Sequence, residues 1–317
     1  NLKDFLYPHL SFNNFDNTVP YLFFGKPKKI KHYQIEVEKV KTKTSIKMCS
    51  DILNKNSYKN KISLIKNELE EGNAYQINFT MTKKYKTISN PFDIYFELRN
   101  YAKPKFGYYF NMKDFEILSF SPECFFHKEK NEIFSYPMKG TRPRSKEKKL
   151  DYKLKQELKK SIKDKAEHLM IVDLIRNDIG KITKYGSVQV KKMYKIESYE
   201  TVHQMISCVY GTLKDNIKES NIIEALFPGG SITGAPKESA MKIIDKLENY
   251  SRNIYTGSMG YIKSNGDMNF NMPIRTMNVK NNEAIYPVGG GIVWDSNFKD
   301  EWEEAQIKSK ILSYIEL

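Results

Sequence analysis

The chain has 317 residues, of which 40% are hydrophobic and 28% charged, a composition that is typical of a folded globular protein and not of a disordered one. No apolar run approaches the roughly 20 residues that span a bilayer, and no signal-peptide pattern opens the chain. The three cysteines are isolated and lack the spacing of a metal site. We therefore expect a soluble, cytoplasmic protein with no disulfide framework and no membrane partner.

The net charge is +14, from 52 Lys and Arg against 38 Asp and Glu. Such an excess leaves a nucleic-acid-binding protein as an alternative function. Arg is the residue that nucleic-acid binders favour for its planar fork, yet only six of these cations are Arg. We therefore favour a protein whose Lys-rich surface has no nucleic-acid partner. Such a surface would also attract an anionic substrate.

The predicted elements begin after a weakly patterned start, and we expect 1–70 to be a short N-terminal segment packed on a catalytic domain over 71–317. Helices are predicted over Lys59–Glu71, Pro91–Tyr101, Lys148–Asn177, Ser220–Leu226, Pro236–Leu247 and Asp300–Tyr314. Strands are predicted over Phe106–Met112, Phe115–Ser119, Cys124–Lys128, Glu132–Tyr136, Tyr255–Lys263, Met268–Val279 and Ala284–Val288.

Two turn signals connect the last of these strands. Asn265-Gly266 is a strong hairpin signal, and Asn281-Asn282 predicts a second tight turn. Consecutive hairpins give antiparallel sheets, and the alternation of strands and helices that a parallel sheet requires is missing. The sequence therefore predicts an α+β fold of large antiparallel sheets packed together, with peripheral helices.

Acidic residues share a face on two predicted helices. Asp164 and Glu167 lie three residues apart in a helix that is apolar on nearly every side, so we expect it to be mostly buried. Glu301 and Glu304 repeat this spacing in the C-terminal helix, with Lys308 on the same face. Carboxylates without an accompanying His suit Mg²⁺ better than Zn²⁺. The alternative is pairing with Arg or Lys, or exposure of that face.

Two glycine-rich segments allow a ligand to approach the backbone. Gly229–Lys237 opens a helix, where N–H groups can face a carboxylate, and Val288–Ile292 is predicted to lie between strands. Taken singly, each is more often a cap or a bulge. A third segment, Tyr136–Arg142, places Lys139 before a glycine. This is either a surface lysine in a turn or an amine whose environment favours its nucleophilic form.

Together these segments resemble the chorismate-utilising enzymes, the family of anthranilate, aminodeoxychorismate, isochorismate and salicylate synthases. The resemblance covers about Gly72 to Lys310 and rests on motifs in a fixed order. They are Gly72–Asn78, Ser121-Pro122-Glu123, Lys139–Arg142, Glu167–Asp178, Gly230–Lys237, Tyr255-Thr256-Gly257, Ile274-Arg275-Thr276, Gly289–Val293 and Glu301-x-x-Glu304-x-x-x-Lys308.

The resemblance implies an anthranilate synthase component I-like fold and a role for each matching position. Glu167 and Glu304 are implied as direct Mg²⁺ ligands, with Asp164 and Glu301 acting through water. Glu123 is implied as the general acid and Lys139 as the nucleophile. The implied substrate-binding residues are Arg275, Tyr255, Gly289, Gly291, Thr233, His203, Lys308, Gly140 and Thr141.

Two positions indicate the branch of the family. Gln76 stands where the water-using branches carry a lysine, and Lys139 stands where anthranilate synthases usually carry Ala. The resemblance thus implies an aminodeoxychorismate synthase component I, which makes 4-amino-4-deoxychorismate for p-aminobenzoate and folate biosynthesis. Its implied partners are a glutamine amidotransferase that supplies ammonia and a fused or separate lyase. The alternative within the family is anthranilate synthase component I.

Overall fold

The computed structural model describes residues 5–13, 19–32, 43–51, 54–199 and 202–317. Its α-helices are α1 (Lys55–Glu70), α2 (Pro91–Ala102), α3 (Lys148–Lys160), α4 (Ile162–Ile182), α5 (Glu219–Leu226), α6 (Lys237–Leu247) and α7 (Phe298–Lys308). Its strands are β1 (Ile46–Asp51), β2 (Gln76–Thr87), β3 (Phe106–Met112), β4 (Phe115–Ser121), β5 (Cys124–Glu129), β6 (Glu132–Ser135), β7 (Met138–Pro143), β8 (Gln189–Ser198), β9 (Val202–Thr212), β10 (Gly234–Ala235), β11 (Met259–Ile262), β12 (Met268–Asn271), β13 (Thr276–Lys280) and β14 (Glu283–Ile292).

The chain divides into two compact units. Unit 1 comprises 1–122, 238–256 and 273–317, and unit 2 comprises 123–237 and 257–272. The boundary predicted at residue 70 stays a prediction.

The sheet of unit 1 has the strand order β1–β2–β14–β13–β4–β3. Its longest ladder joins β2 to β14, antiparallel from Lys86 opposite Glu283 to Ile77 opposite Ile292. Helix α7 packs on β14 and α1 packs against α7. Asn297 begins α7 as its N-cap, because its side chain accepts hydrogen bonds from the next helical N–H groups. This packing places the acidic face of α7 over β14.

The sheet of unit 2 has the order β11–β12–β5–β6–β9–β7, with β8 also paired to β9. Helices α3 and α4 pack on β7 and β9. Ser161 begins α4 as its N-cap, since its side chain accepts a hydrogen bond from the N–H of Asp164. The first turn of α4 therefore carries one of the predicted metal ligands.

The α+β class with antiparallel sheets is confirmed, and the predicted turns join antiparallel pairs. Asn281 and Asn282 both have positive φ and connect β13 to β14, and the Asn265-Gly266 turn connects β11 to β12. In the part of the chain that the structure describes, no helix has both the length and the apolar character to cross a membrane.

Two predicted elements are wrong because the chain breaks inside them. The helix predicted over Lys148–Asn177 is two helices, since Ser161 adopts an extended conformation with ψ 114° between α3 and α4. The strand predicted over Met268–Val279 is also two, β12 in unit 2 and β13 in unit 1. The helix predicted to be mostly buried, α4, leaves Leu169 50% exposed.

Candidate functional site

Lys139 lies on strand β7 and faces helix α4. Its Nζ lies 4.0 Å from Oε2 of Glu167, and the two side chains are 16% and 20% exposed. The next residue of α4, His168, is fully buried, with its Nε2 2.7 Å from Oγ of Ser207. Burial and, second, the charge of Lys139 lower the pKa of His168 to about 4, so this imidazole is neutral at pH 7. The alternative of a surface lysine in a turn is wrong, because Lys139 belongs to a strand and its side chain is mostly buried.

A bulge at Gly140 lets β7 approach α4. Lys139 and Thr141 pair with successive residues of β9, so Gly140 is the extra residue between them. Gly140 has a φ of 77°, and a Cβ there would lie 3.0 Å from Oδ1 of Asp164. Glycine is therefore required both by the backbone conformation and by the close carboxylate.

Asp164 is already paired within unit 2. Its Oδ2 accepts a hydrogen bond of 2.8 Å from Nη2 of Arg142, with the side chains 18% and 31% exposed. For Asp164, the alternative that the acidic face pairs with Arg or Lys is therefore correct in this structure. Glu167 lies one turn further along α4, where it presents its carboxylate toward Lys139.

The predicted general acid, Glu123, lies beside the glycine-rich segment. Its side chain is 9% exposed, and Ser231 donates a hydrogen bond of 3.0 Å to its Oε1. Both residues line a cleft of unit 2 whose wall also includes Gly229 and Gly230. The hydroxyl of Thr233 donates to the carbonyl of Gly229 and is buried, so it stabilises this segment internally.

A buried ion pair that the sequence analysis missed anchors the same segment. Nζ of Lys237, the first residue of α6, lies 2.6 Å from Oδ2 of Asp178 near the end of α4, and the side chains are 7% and 5% exposed. Lys237 also donates to the carbonyl of Leu226. Asp178 and Lys237 both belong to motifs that carry the family resemblance. They are 59 positions apart in the chain, and no local sequence pattern predicts that they form an ion pair.

His203, a predicted substrate-binding residue, uses both ring nitrogens within unit 2. Its Nδ1 lies 2.9 Å from Oγ of Ser198, its Nε2 lies 3.0 Å from Oδ1 of Asp151, and the side chain is 1% exposed. Asp151 in turn receives two hydrogen bonds from Arg144. These contacts connect β9 to α3, and the predicted role of His203 in binding substrate stays a prediction.

In unit 1 the second glycine-rich segment lies inside β14, so the prediction that it falls between strands is wrong. A Cβ on Gly289 would lie 2.2 Å from the carbonyl oxygen of Phe79 on β2, which excludes any side chain. A Cβ on Gly290 would lie 3.2 Å from Oε1 of Glu304 and 3.5 Å from Oε2 of Glu301. The glycines therefore let the acidic face of α7 lie directly on the strand.

The ammonium of Lys308 contacts one of the two carboxylates of α7. Nζ of Lys308 donates to Oε1 of Glu304 at 2.5 Å and to the carbonyl of Gly289 at 2.7 Å. Oε1 of Glu301 accepts a hydrogen bond of 2.6 Å from Oγ of Ser296. Unit 1 thus brings together four of the predicted site residues. They are Glu301 and Glu304 with their carboxylates, Lys308 with its ammonium and Gly289 with its backbone carbonyl.

Tyr58 of α1 borders this group and was missed by the sequence analysis, because it precedes the first motif. Its hydroxyl is fully buried and has no hydrogen-bond partner among the described residues. Burial, and then the charges of Glu301 and Glu304, raise the pKa of Tyr58 far above its usual value. The phenol therefore lies close to both carboxylates and donates to neither.

Arg275 and Tyr255, the predicted clamp for a carboxylate, also lie in unit 1. Arg275 has a φ of 51° at the break before β13, and its guanidinium makes no ion pair with the residues that the structure describes. Tyr255 is 6% exposed, and burial raises its pKa. An unpaired guanidinium is suited to a bidentate contact with a carboxylate.

Asp164 and Glu167 lie one turn apart on α4, Glu301 and Glu304 lie one turn apart on α7, and oxygen donors of this kind fit Mg²⁺. The unpartnered phenol of Tyr58 beside Glu301 and Glu304 is consistent with a ligand at that point. Across the described ranges, no group of three or more His, Cys, Asp or Glu side chains is gathered as a metal site. The predicted four-carboxylate magnesium site stays a prediction.

Comparison with known proteins decides the family. Residues 17–314 match the family described as chorismate binding enzyme. The chain belongs to that family. It is 36% identical to anthranilate synthase component 1 of Saccharolobus solfataricus over 92% of this chain and 73% of that protein. It is 38% identical to aminodeoxychorismate synthase component 1 of Salmonella typhimurium over 78% of this chain and 54% of that protein.

Solved structures support the same fold. Anthranilate synthase component I of Streptococcus pneumoniae superposes with a TM-score of 0.77 at 30% identity, over 86% of this chain and 60% of that one. The isochorismate synthase MenF of Escherichia coli has a TM-score of 0.76 at 18% identity, over 89% of this chain and 65% of that one, which shows the fold alone. The chain spans about half the length of its aminodeoxychorismate synthase relatives, and identities of 36–38% do not separate the branches.

Proposed function

We propose that this chain is an aminodeoxychorismate synthase component I, which replaces the 4-hydroxyl of chorismate with an amine. The observation that carries the proposal is the position of Lys139, on a bulged strand with its Nζ 4.0 Å from Glu167 and only 16% exposed. The structure holds this lysine at a fixed position beside a neutral buried imidazole, and its amine can act as a nucleophile once the ammonium has lost a proton.

The proposed reaction proceeds in two displacements. Nζ of Lys139 attacks C2 of the ring, the two ring double bonds shift, and the C4 hydroxyl departs as water with a proton from Glu123. Ammonia then bonds to C4, the double bonds return, the C2–N bond to Lys139 breaks, and the proton lost by the added ammonia returns to Glu123. Ser231 holds the Glu123 carboxyl through its 3.0 Å hydrogen bond, and the enolpyruvyl group is retained.

Binding of chorismate, a dicarboxylate, is assigned to the remaining predicted residues. Arg275 and Tyr255, with the backbone of Gly289 and Gly291, would hold the enolpyruvyl carboxylate. Lys308 would contact the ring carboxylate, and Thr233, His203, Gly140 and Thr141 would shape the pocket. Arg275 is supported for this role because its guanidinium has no ion-pair partner within the described ranges.

Mg²⁺ is the proposed cofactor, with Glu167 and Glu304 as direct ligands and Asp164 and Glu301 acting through water. When bound, the ion would neutralise the ring carboxylate and orient the ring. The names of the relatives, component 1, indicate a partner component in those proteins. We assign to this chain a glutamine amidotransferase partner that supplies ammonia, and a separate or fused lyase that completes p-aminobenzoate for folate.

The decisive experiment is mass spectrometry of the products formed from chorismate, ammonium and Mg²⁺. We expect 4-amino-4-deoxychorismate from the wild-type chain and strongly reduced amination by Lys139→Ala, with chorismate binding retained. Lys195→Ala is the control, because that lysine pairs with Glu197 on the exposed part of β8. Unchanged amination by Lys139→Ala would exclude the covalent mechanism.

The second candidate is anthranilate synthase component I. It is favoured by the coverage of the Saccharolobus solfataricus enzyme, which matches 92% of this chain. The two functions differ in their product, because anthranilate is fluorescent and needs no lyase. Fluorescence that appears with chorismate, ammonium and Mg²⁺ alone would replace the first proposal with this one.

A further inference from the structure

Tyr58 is a buried phenol whose hydroxyl lacks a partner in the described part of the protein. Its ring is held from two sides, by Trp302 of α7 at a centroid distance of 5.2 Å and by Phe79 of β2 at 5.6 Å. The side chain is completely buried. A ring packed in this way has little freedom to turn its hydroxyl elsewhere.

The residues that pack against the Tyr58 ring lie next to the carboxylates of α7. Phe79 pairs with Gly290 across the β2–β14 ladder, and cross-strand partners present their side chains on the same face. The position that a side chain of Gly290 would occupy lies within 3.5 Å of carboxylate oxygens of both Glu304 and Glu301. Trp302 follows Glu301 directly in α7. Tyr58 therefore lies in the layer that contains both carboxylates.

A buried hydroxyl without a partner destabilises the fold by about 1–3 kcal/mol relative to a matched apolar group. Phe would fill the same space without this cost. The chain nevertheless has Tyr at this position, next to two carboxylates that are proposed to bind Mg²⁺. The unpartnered donor is explained if an acceptor is supplied when the ion and its oxygen ligands are in place.

We propose that Tyr58 is a positioning residue of the Glu301–Glu304 half of the magnesium site, and that its hydroxyl gains a hydrogen-bond acceptor only when the cation is bound. The proposal rests on the proposed magnesium dependence. Its consequence is a trade-off in which the hydroxyl lowers the stability of the metal-free protein and strengthens cation binding.

The test compares the wild-type chain with Tyr58→Phe. Mn²⁺ serves as the probe, and free Mn²⁺ is measured by electron paramagnetic resonance, without and with chorismate. Tyr58→Phe should raise the dissociation constant for Mn²⁺ by about threefold to tenfold, the range for one hydrogen bond. The same variant should melt at a higher temperature than wild type in EDTA.

Tyr95→Phe is the matched control. Tyr95 lies in the same hydrophobic core, but its hydroxyl interacts with the charged guanidinium of Arg99. It should therefore lower the melting temperature in EDTA and leave Mn²⁺ binding unchanged. Equal Mn²⁺ affinity in wild type and Tyr58→Phe would overturn the role of Tyr58 alone. Absence of Mn²⁺ binding by the wild-type chain, even with chorismate, would overturn the magnesium proposal itself.

Discussion

The buried pair of Asp178 and Lys237 gives a stability prediction whose parts can be worked out from the structure. The two charged atoms are 2.6 Å apart, with side chains 5% and 7% exposed. On its other side Asp178 accepts a hydrogen bond of 3.0 Å from Lys181, which is 54% exposed. Among the residues that the structure describes, the one further acceptor for Lys237 is the carbonyl of Leu226, at 3.2 Å. The two residues therefore differ in what remains when the partner is removed.

Asp178→Leu should lower the free energy of unfolding by about 3–5 kcal/mol, since it leaves a buried ammonium with one neutral acceptor. Lys237→Met should cost less, because Asp178 keeps Lys181, although so exposed a partner contributes only about 0–1 kcal/mol. The double variant should return close to the wild-type value, because similar apolar groups that replace a buried pair are often neutral or stabilising.

Urea denaturation followed by circular dichroism would measure all four corners of this double-mutant cycle. The control is Asp173→Asn, which removes an exposed pair with Arg176 on the same helix and should change the free energy by less than about 1 kcal/mol. Additive single effects would refute the reasoning, as would a smaller effect for Asp178→Leu than for Lys237→Met.

The free energy of unfolding of Asp178→Leu should also depend on pH. Burial lowers the pKa of Lys237, and the charge of Asp178 opposes that shift. In Asp178→Leu the opposing charge is gone, so the folded pKa falls further below the unfolded value. Between those two values the unfolded chain binds more protons than the folded chain. The variant should therefore gain stability as the pH rises through that interval and lose it as the pH falls.

Two further predictions concern single side chains. Ser231→Ala should reduce kcat by about twofold to tenfold with little change in KM for chorismate, because it removes one hydrogen bond to Glu123. Product mass spectrometry would measure this, with Ser231→Thr as the conservative control, and a loss confined to KM would contradict the role. Gln76→Met should raise the free energy of unfolding by about 1–3 kcal/mol and reduce turnover, because both amide atoms of Gln76 are buried without partners among the described residues. A lower melting temperature for this variant would contradict the prediction.

Local signals in the sequence were sufficient for the hairpins and for the anchoring of α7. Asn281 and Asn282 both adopt positive φ, which Asn tolerates better than most residues. Asn297 begins α7 with a side chain that accepts hydrogen bonds from the first N–H groups, and Ala305 on the same helix is buried in the core. These features depend on contacts with residues nearby in the sequence, so the local sequence pattern is sufficient to predict them.

Features that depend on distant contacts could not be predicted in this way. A glycine after Lys139 is compatible with a turn, whereas pairing with β9 makes the segment a bulged strand. Ser161 ends one helix and caps the next, although charge and apolar spacing continue through it. The contacts of His203 with Asp151 and Ser198 join three separate segments, and no short-range pattern relates them.

Hydrogen-bond satisfaction separates the buried polar residues of this protein into two groups. Lys237 and His203 have ion-pair or hydrogen-bond partners within the chain, so their removal should reduce the stability of the fold. Tyr58 and Gln76 are as deeply buried but lack partners within the described ranges, so their removal should stabilise the free protein and weaken binding or turnover. Because stability and function are predicted to change in opposite directions only in the second group, paired measurements of both quantities distinguish residues that maintain the fold from residues that await a ligand.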